Sequence, residues 1–122
     1  MESGHRAGFI THEGKQVLIL DFTNCTPEEV TFVSEEAERI ITGQPPNSVL
    51  VLADFEGAQF SRDAVTRIKE VTTHDRPFVK RVAWVHTGNL PKVLYDAIKT
   101  FSQREFPTFE TREEALEFLV KE

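Results

Sequence analysis

The sequence predicts an α/β domain with the element order ββαβαβαβα, in which four helices surround a mixed, mostly parallel five-stranded sheet. Two observations predict this fold. Short β-like apolar runs alternate with longer segments whose apolar residues recur every three to four positions, which is typical of strands joined by right-handed helical crossovers. In addition, the runs at 17–20 and 49–53 are continuously apolar, as expected of strands that are covered on both faces.

The five strands are predicted from apolar runs bounded by turn residues. A short strand at 9–12 is followed by Glu13-Gly14, a tight turn in which glycine supplies a positive φ, and by an antiparallel strand at 17–22. The remaining strands are predicted at 49–53, 79–85 and 106–109. The last strand is expected at an edge of the sheet, because Pro107 has no N–H to donate.

Each predicted helix begins at a capping signal. Thr26-Pro27-Glu28-Glu29 combines an N-cap, a proline suited to the first turn and a capping-box glutamate. The other three helices are predicted to begin after Ser61, after Thr87-Gly88-Asn89 and after Thr111, the last with a second capping box. The predicted buried faces are Val30, Val33, Ala37, Ile40 and Ile41; Ala64, Val65, Ile68 and Val71; Leu90, Val93, Leu94, Ala97, Ile98 and Phe101; and Ala115, Leu116 and Leu119.

Length and composition indicate one cytoplasmic domain. Residues 1–7 are expected to form a disordered tail and residues 8–122 a single domain. The net charge of -6 argues against nucleic-acid binding, and no apolar run is long enough for a membrane span. Cys25 is the one cysteine, so no internal disulfide can form, which fits a reducing compartment. A homodimer is also considered, because a second subunit could cover apolar strands that four helices leave bare.

Ligands of open parallel sheets meet the loops at the carboxyl ends of the strands, where helix N-termini favour negative charge. Here those loops are 21–26, 54–61 and 86–89. The candidate binding surface drawn from these loops and the second helix consists of Asp54, Glu56, Gly57, Phe60, Arg62, Thr87, Gly88 and Asn89.

Catalytic, metal and cofactor motifs are not recognisable in the sequence. Cys25 lies just before a helix cap, where a thiol pKa can be lowered, but no Cys-x5-Arg motif follows it. The four histidines lack metal-ligand spacing, and no phosphate-binding glycine motif is present. Ser61, His86 and Asp54 could be written as a triad, yet their spacing does not fix a geometry. A receiver-like arrangement of Asp54 and Thr87 lacks the expected Lys-Pro after the last strand. No catalytic residue, metal or cofactor is therefore assigned.

Three segments carry a family resemblance: SVLVLADFEGAQFSRDAV at 48–65, FVKRVAWV at 78–85 and FETREEALEFL at 109–119. Together with the element order, they resemble the STAS superfamily, specifically its SpoIIAA-like branch, over residues 8–120. The resemblance implies a small β–α superhelical fold related to CRAL-TRIO lipid-binding domains. It also implies a protein partner and, in the antagonists of anti-sigma factors, phosphorylation of a serine that opens the second helix. Ser61 is the matching position, although the Asp-Ser-Ser-Gly-like run of those antagonists is replaced by Gln59-Phe60-Ser61-Arg62.

The leading hypothesis is a non-enzymatic STAS-like regulatory or protein-interaction module with Ser61 as the candidate phosphoacceptor. A second hypothesis is a carrier of a small apolar or anionic, lipid-like ligand, with an apolar pocket between the second and third helices. Its motivation is the phenylalanine content, ten residues against one tyrosine and one tryptophan. The third is an enzyme that uses Asp54 and His86, which requires the two side chains to lie within reach of each other.

Overall fold

Strands and helices follow one another in the predicted order. The computed structural model describes residues 6–121 of the chain. The strands are β1 (Ala7–His12), β2 (Lys15–Asp21), β3 (Val49–Asp54), β4 (Val79–Val85) and β5 (Thr108–Phe109). The helices are α1 (Pro27–Ile41), α2 (Arg62–His74), α3 (Lys92–Ser102) and α4 (Arg112–Val120), and 3-10 turns occupy Arg76–Phe78 and Thr87–Asn89.

The sheet has the strand order β1-β2-β3-β4-β5, with β1 antiparallel to β2 and the other neighbours parallel. The predicted mixed, mostly parallel α/β fold with five strands and four helices is therefore confirmed over the described residues. Because β2 to β5 run in one direction, their carboxyl ends meet at a single edge of the sheet. All four helices begin at this edge, which is called the carboxyl edge below.

Helices cover the two faces of the sheet unequally. α1, α2 and α3 form a layer on one face, whereas α4 lies on the other face and contacts β3, β4 and β5. Alternate residues of β3 serve the two layers: Val51 and Ala53 pack toward the three helices, and Leu50 and Leu52 pack toward α4. This explains why the 49–53 run is continuously apolar.

Aromatic rings form the centre of the three-helix layer. Phe55 stacks on Phe22 with ring centroids 4.8 Å apart and meets Trp84 edge-on at 5.0 Å. Trp84 in turn stacks on Phe106 at 4.4 Å. Tyr95 of α3 donates its hydroxyl proton to the carbonyl oxygen of Phe106 at 2.8 Å. The chain that leads into β5 is thereby attached to α3, and several phenylalanines are accounted for as core residues.

Three local predictions need correction. α3 begins at Lys92 rather than at Leu90, and Val93 and Phe101 on it are 72% and 55% exposed instead of buried. The last strand is reduced to two residues, with Phe106 buried before it. The causes differ: residues 87–89 form a 3-10 turn and α3 starts only after Pro91, α3 packs against α2 with only part of its apolar surface, and Pro107, which has no N–H to donate, directly precedes the two residues of β5.

The predicted tail falls mostly on residues 1–5, which lie outside the described residues. Of the remaining two positions, Ala7 begins β1, and Arg6 donates Nη1 to the carbonyl oxygens of Asp21 and Thr23. These contacts join the start of the described chain to the carboxyl edge.

Candidate functional site

Parallel pairing brings the ends of β2 and β3 together at the carboxyl edge. Asp21, the last residue of β2, lies in register with Asp54, the last residue of β3, and Val85 ends β4 beside them. Asp54 is only 4% exposed although it is charged. A buried carboxylate needs donors on its oxygens, so the surroundings of Asp54 define the site.

Three groups donate to Asp54. Its Oδ1 accepts from the backbone N–H of Glu56 at 3.0 Å and from Nδ1 of His86 at 2.9 Å, and its Oδ2 accepts from Nε of Arg112 at 2.6 Å. Because an ionised carboxylate only accepts, Nδ1 of His86 carries the proton in this bond. Both carboxylate oxygens are therefore occupied by donors from within the chain.

His86 reaches Asp54 because its backbone turns sharply after β4. It adopts a left-handed conformation with φ 57° and ψ 52°, which is uncommon for a residue with a side chain. Its Nδ1 also lies 3.5 Å from Oε1 of Glu56, and its side chain is 34% exposed. The ring is thus held by acidic groups on its Nδ1 side while part of it remains open to solvent.

Arg112 is the residue of the candidate site that could not be identified from the sequence. It is the first residue of α4, and its Nη2 lies 3.7 Å from Oδ1 of Asp21 while Nε binds Asp54. The available signal was the predicted cap at Thr111, since a helix that follows a parallel strand must begin at the carboxyl edge. The 58 residues between Arg112 and Asp54 conceal the contact in the sequence.

The hydrogen bonds shift the pKa values of both members of the pair. Burial alone raises the pKa of Asp54, but bonds from His86, Arg112 and the Glu56 backbone outweigh it and place the pKa below the ordinary 3.8. The bond to Asp54 raises the pKa of His86 above its ordinary 6.5, against the opposing effect of desolvation. Asp54 and His86 therefore each stay charged over a wider pH range than they would without the other.

The loop after β3 contains most of the other predicted site residues. Gly57 has φ 70°, and a Cβ at this position would collide with the side-chain oxygen of Asn24, so the turn requires glycine. Phe60 packs on Phe55 with ring centroids 5.7 Å apart. Ser61 is the N-cap of α2, and its Oγ accepts from the backbone N–H of Ala64 at 3.0 Å. Arg62, which follows it, is exposed.

The 87–89 turn is joined to the same loop. Asn89 donates its side-chain amide to the carbonyl oxygen of Ala58 at 3.2 Å, and Thr87 and Gly88 precede it in the 3-10 turn. The structure thus brings Asp54 and Glu56 to His86, and links the 87–89 turn to the loop before Ser61. The predicted binding residues form neighbouring parts of one edge.

Cys25 does not have the environment suggested for it. The residue is fully buried, and burial raises the pKa of its thiol above 9.0, although the positive charge of Arg6 acts in the opposite direction. The suggestion of a lowered thiol pKa is wrong because desolvation dominates over the nearby helix start.

A second feature is an exposed apolar row on α3. Val93, Ala97 and Phe101 are four residues apart and so lie along one side of the helix. Val93 and Phe101 are among the most exposed large apolar side chains in the described chain. Lys69 of α2 lies over the Phe101 ring, with its Nζ 5.8 Å from the ring centroid, so the row borders α2.

One apolar cavity lies between α1, α2 and the sheet, and Arg104 and Phe106 of the segment before β5 complete its lining. No residue of α3 lines this cavity. Its volume is about 40 Å³. Sites for drug-sized ligands usually measure about 300–1,000 Å³, so the cavity as it stands has room for no lipid chain.

No protein-family model matches this sequence, and no curated protein is similar to it at a significant level. Within residues 6–121, no group of three histidine, cysteine, aspartate or glutamate side chains is arranged to hold a metal ion. In the same part of the chain, no helix combines the length and the apolar character that crossing a membrane requires.

Proposed function

We propose that this protein is a regulatory, protein-binding module of the STAS type whose contact surface is formed by α2, α3 and the adjoining loops of the carboxyl edge. The observation that carries the proposal is the exposed row of Val93 and Phe101 on α3. Large apolar side chains that are exposed together on an otherwise charged surface are a common mark of a protein interface.

The charges beside the row indicate the chemistry of the partner. Arg62 is the exposed first residue of α2, and Lys69, two turns further along the same helix, lies over the Phe101 ring. Exposed Asp63 and Glu70 follow these two cations in α2 and the net charge of the chain is -6, so the cations are local charges on a mixed surface. The surface suits a partner that offers apolar side chains flanked by carboxylates, because opposite charges at the rim favour encounter and register.

Phosphorylation of Ser61 would control this contact. It caps α2, the helix that borders the apolar row, and a phosphate there would lie at the positive end of the helix dipole and next to Arg62. Phosphorylation would add nearly two negative charges at the start of α2, where Arg62 would attract the phosphate and Asp63 would oppose it. It would therefore weaken the binding of an acidic partner.

We expect Ser61→Asp to reduce partner affinity by about tenfold, which corresponds to about 1.4 kcal/mol, without changing stability. Aspartate remains a good N-cap, so the helix start is preserved.

The matched control is Thr111→Asp, the same change at the N-cap of α4, which lies on the other face of the sheet. There the side chain of Thr111 accepts from the backbone N–H of Glu114 at 3.1 Å. The full chain is immobilised, captured proteins are quantified by mass spectrometry, and their affinities are titrated. Equal affinities for the wild type and Ser61→Asp, or an equal loss for Thr111→Asp, would exclude this surface.

A second candidate function is proton-transfer chemistry at His86, which the 2.9 Å bond to Asp54 favours. Asp54 would orient the ring and leave Nε2 to exchange protons with a bound molecule. A receiver-like phosphorylation of Asp54 is less well supported, because both carboxylate oxygens already accept hydrogen bonds. We prefer the binding function because the exposed apolar row has no role in proton transfer.

A further inference from the structure

Among residues 6–121, no strand pairs with the outer edge of β1. β1 is the first strand of the sheet and pairs with β2 on its inner side. The backbone N–H of Asp21 donates to the carbonyl oxygen of Arg6 at 2.7 Å. Because hydrogen-bonded pairs alternate in an antiparallel ladder, the backbone N–H and C=O groups of every second residue after Arg6 also point toward β2. The N–H and C=O groups of Ala7, Phe9 and Thr11 consequently point outward.

The two edges of the sheet differ in how they are protected. At the other edge, β5 has only two residues and follows Pro107, which is a common way to prevent further pairing. β1 has six residues, AGFITH, with no lysine, arginine, carboxylate or proline, and its register with β2 is continuous. An edge strand of this length without such protection is suited to pairing with another strand.

The side chains of β1 are also exposed on both faces. Phe9 is 41% exposed on the face of the three-helix layer, and Ile10 is 42% exposed on the α4 face. α4 contacts β3, β4 and β5 and packs on Val17 of β2, whereas Ile10, the partner of Val17 in β1, remains 42% exposed. Gly8, on the same face as Ile10, has open space where a side chain would be. The large apolar side chain of Ile10 and the open space at Gly8 thus lie two residues apart on the same face.

We propose that β1 pairs antiparallel with β1 of a second copy of this chain, around a two-fold axis perpendicular to the sheet. With such an axis, the three-helix face of one copy and that of the other lie on the same side of the joined sheet. Side chains alternate between the two faces along a strand, so the numbers of two residues that lie opposite each other must differ by an even number. Centring the axis on Phe9 places Phe9 opposite Phe9 and Ala7 opposite Thr11 of the second copy. These are the residues whose backbone groups point outward, and all of them gain hydrogen bonds.

The same register matches the side chains, which is the reason to choose a second copy over a foreign strand. Ile10 of each copy lies opposite Gly8 of the other, where the open space accepts its side chain, and the two Phe9 rings meet on the opposite face. The two sheets become one sheet of ten strands whose outer edges are the two-residue β5 strands. The assembly therefore closes as a dimer and leaves the α2–α3 surface free.

The first test is the mass of the full chain in solution by sedimentation equilibrium. The wild type is expected to be a dimer at micromolar concentration, and Phe9→Lys is expected to halve the mass, because lysine blocks edge pairing. The control Val93→Lys, which places the same charge on α3, is expected to remain a dimer. A wild type that stays monomeric, a Phe9→Lys variant that stays dimeric, or a complex with a different protein on this edge would overturn the proposal.

The second test reads the register directly. In Phe9→Cys, the two cysteines would have Cα atoms about 5.5 Å apart, within disulfide range, so oxidation should link two chains. In Thr11→Cys, the two cysteines would be about 14 Å apart and should remain reduced. The native Cys25 is buried and does not compete. Efficient linkage through Thr11→Cys, or none through Phe9→Cys, would contradict the pairing.

Discussion

Replacing Arg104 by alanine is expected to lower the free energy of unfolding by about 3–5 kcal/mol, the usual cost of removing one partner of a buried ion pair. Arg104 donates Nη1 to Oδ1 of Asp75 and to the carbonyl oxygen of Thr72, both at 2.6 Å. The side chains of Arg104 and Asp75 are 9% and 6% exposed. Burial raises the pKa of Asp75 even though Arg104 acts to lower it, so this carboxyl depends on Arg104 to stay charged.

The measurement is urea denaturation followed by fluorescence of Trp84, the one tryptophan, which is buried and stacks on Phe106. The matched control is Arg67→Ala. Arg67 makes ion pairs with Glu35 and Glu70 but is 32% exposed, so its loss should cost less than about 1 kcal/mol. If both variants cost the same, Arg104 does not stabilise the fold in the way we describe.

Asp54→Ala is expected to lower the free energy of unfolding by about 2–3 kcal/mol at pH 5.5–6, because Arg112 and His86 lose their shared acceptor. The control Asp21→Ala makes the same change at the end of β2, where the side chain is 41% exposed, and should cost less than about 1 kcal/mol. Urea denaturation of both variants over a range of pH checks this. A cost no larger than that of Asp21→Ala would show that the buried cluster does not stabilise the carboxyl edge.

The difference between wild type and Asp54→Ala should also depend on pH. The raised pKa of His86 stabilises the fold fully below its unfolded value of 6.5, and this contribution is lost as pH rises through the folded pKa. The lowered pKa of Asp54 stabilises the fold above its unfolded value of 3.8, and this is lost as pH falls through the folded pKa. The difference should be largest between these two values and smaller on both sides. A difference that is constant across the range would contradict the pairing.

Most of the fold could be predicted because its signals are local. Capping residues at Thr26, Ser61 and Thr111 marked three helix starts, and all three accept the expected backbone hydrogen bond. The exposed side of α3 could not be predicted, because periodicity shows that a helix has an apolar face but not how much of it the neighbours cover. Val93 and Phe101 continue the apolar face of α3 beyond its contact with α2.

The location of the site could be predicted from the sequence, but the hydrogen bonds within it could not. Strand order alone brings Asp54 and His86 to one edge, since Asp54 ends one parallel strand and His86 follows the next. Their hydrogen bond depends on the left-handed backbone of His86, which no residue type in the sequence requires. Arg112 was missed because its contact with Asp54 arises from α4 lying on the opposite face from the other helices, and sequence periodicity does not assign a helix to a face.

The most direct measurement of the proposed function compares partner capture by Val93→Asp and Phe32→Asp. Both replace an exposed apolar residue, 72% exposed on α3 and 47% exposed on α1, and neither residue belongs to the buried core. We expect Val93→Asp to lose the proteins that the wild-type chain captures and Phe32→Asp to retain them. If Val93→Asp still captures these proteins, or if only Phe32→Asp loses them, the contact lies away from α2 and α3. Either result would contradict the proposed contact surface.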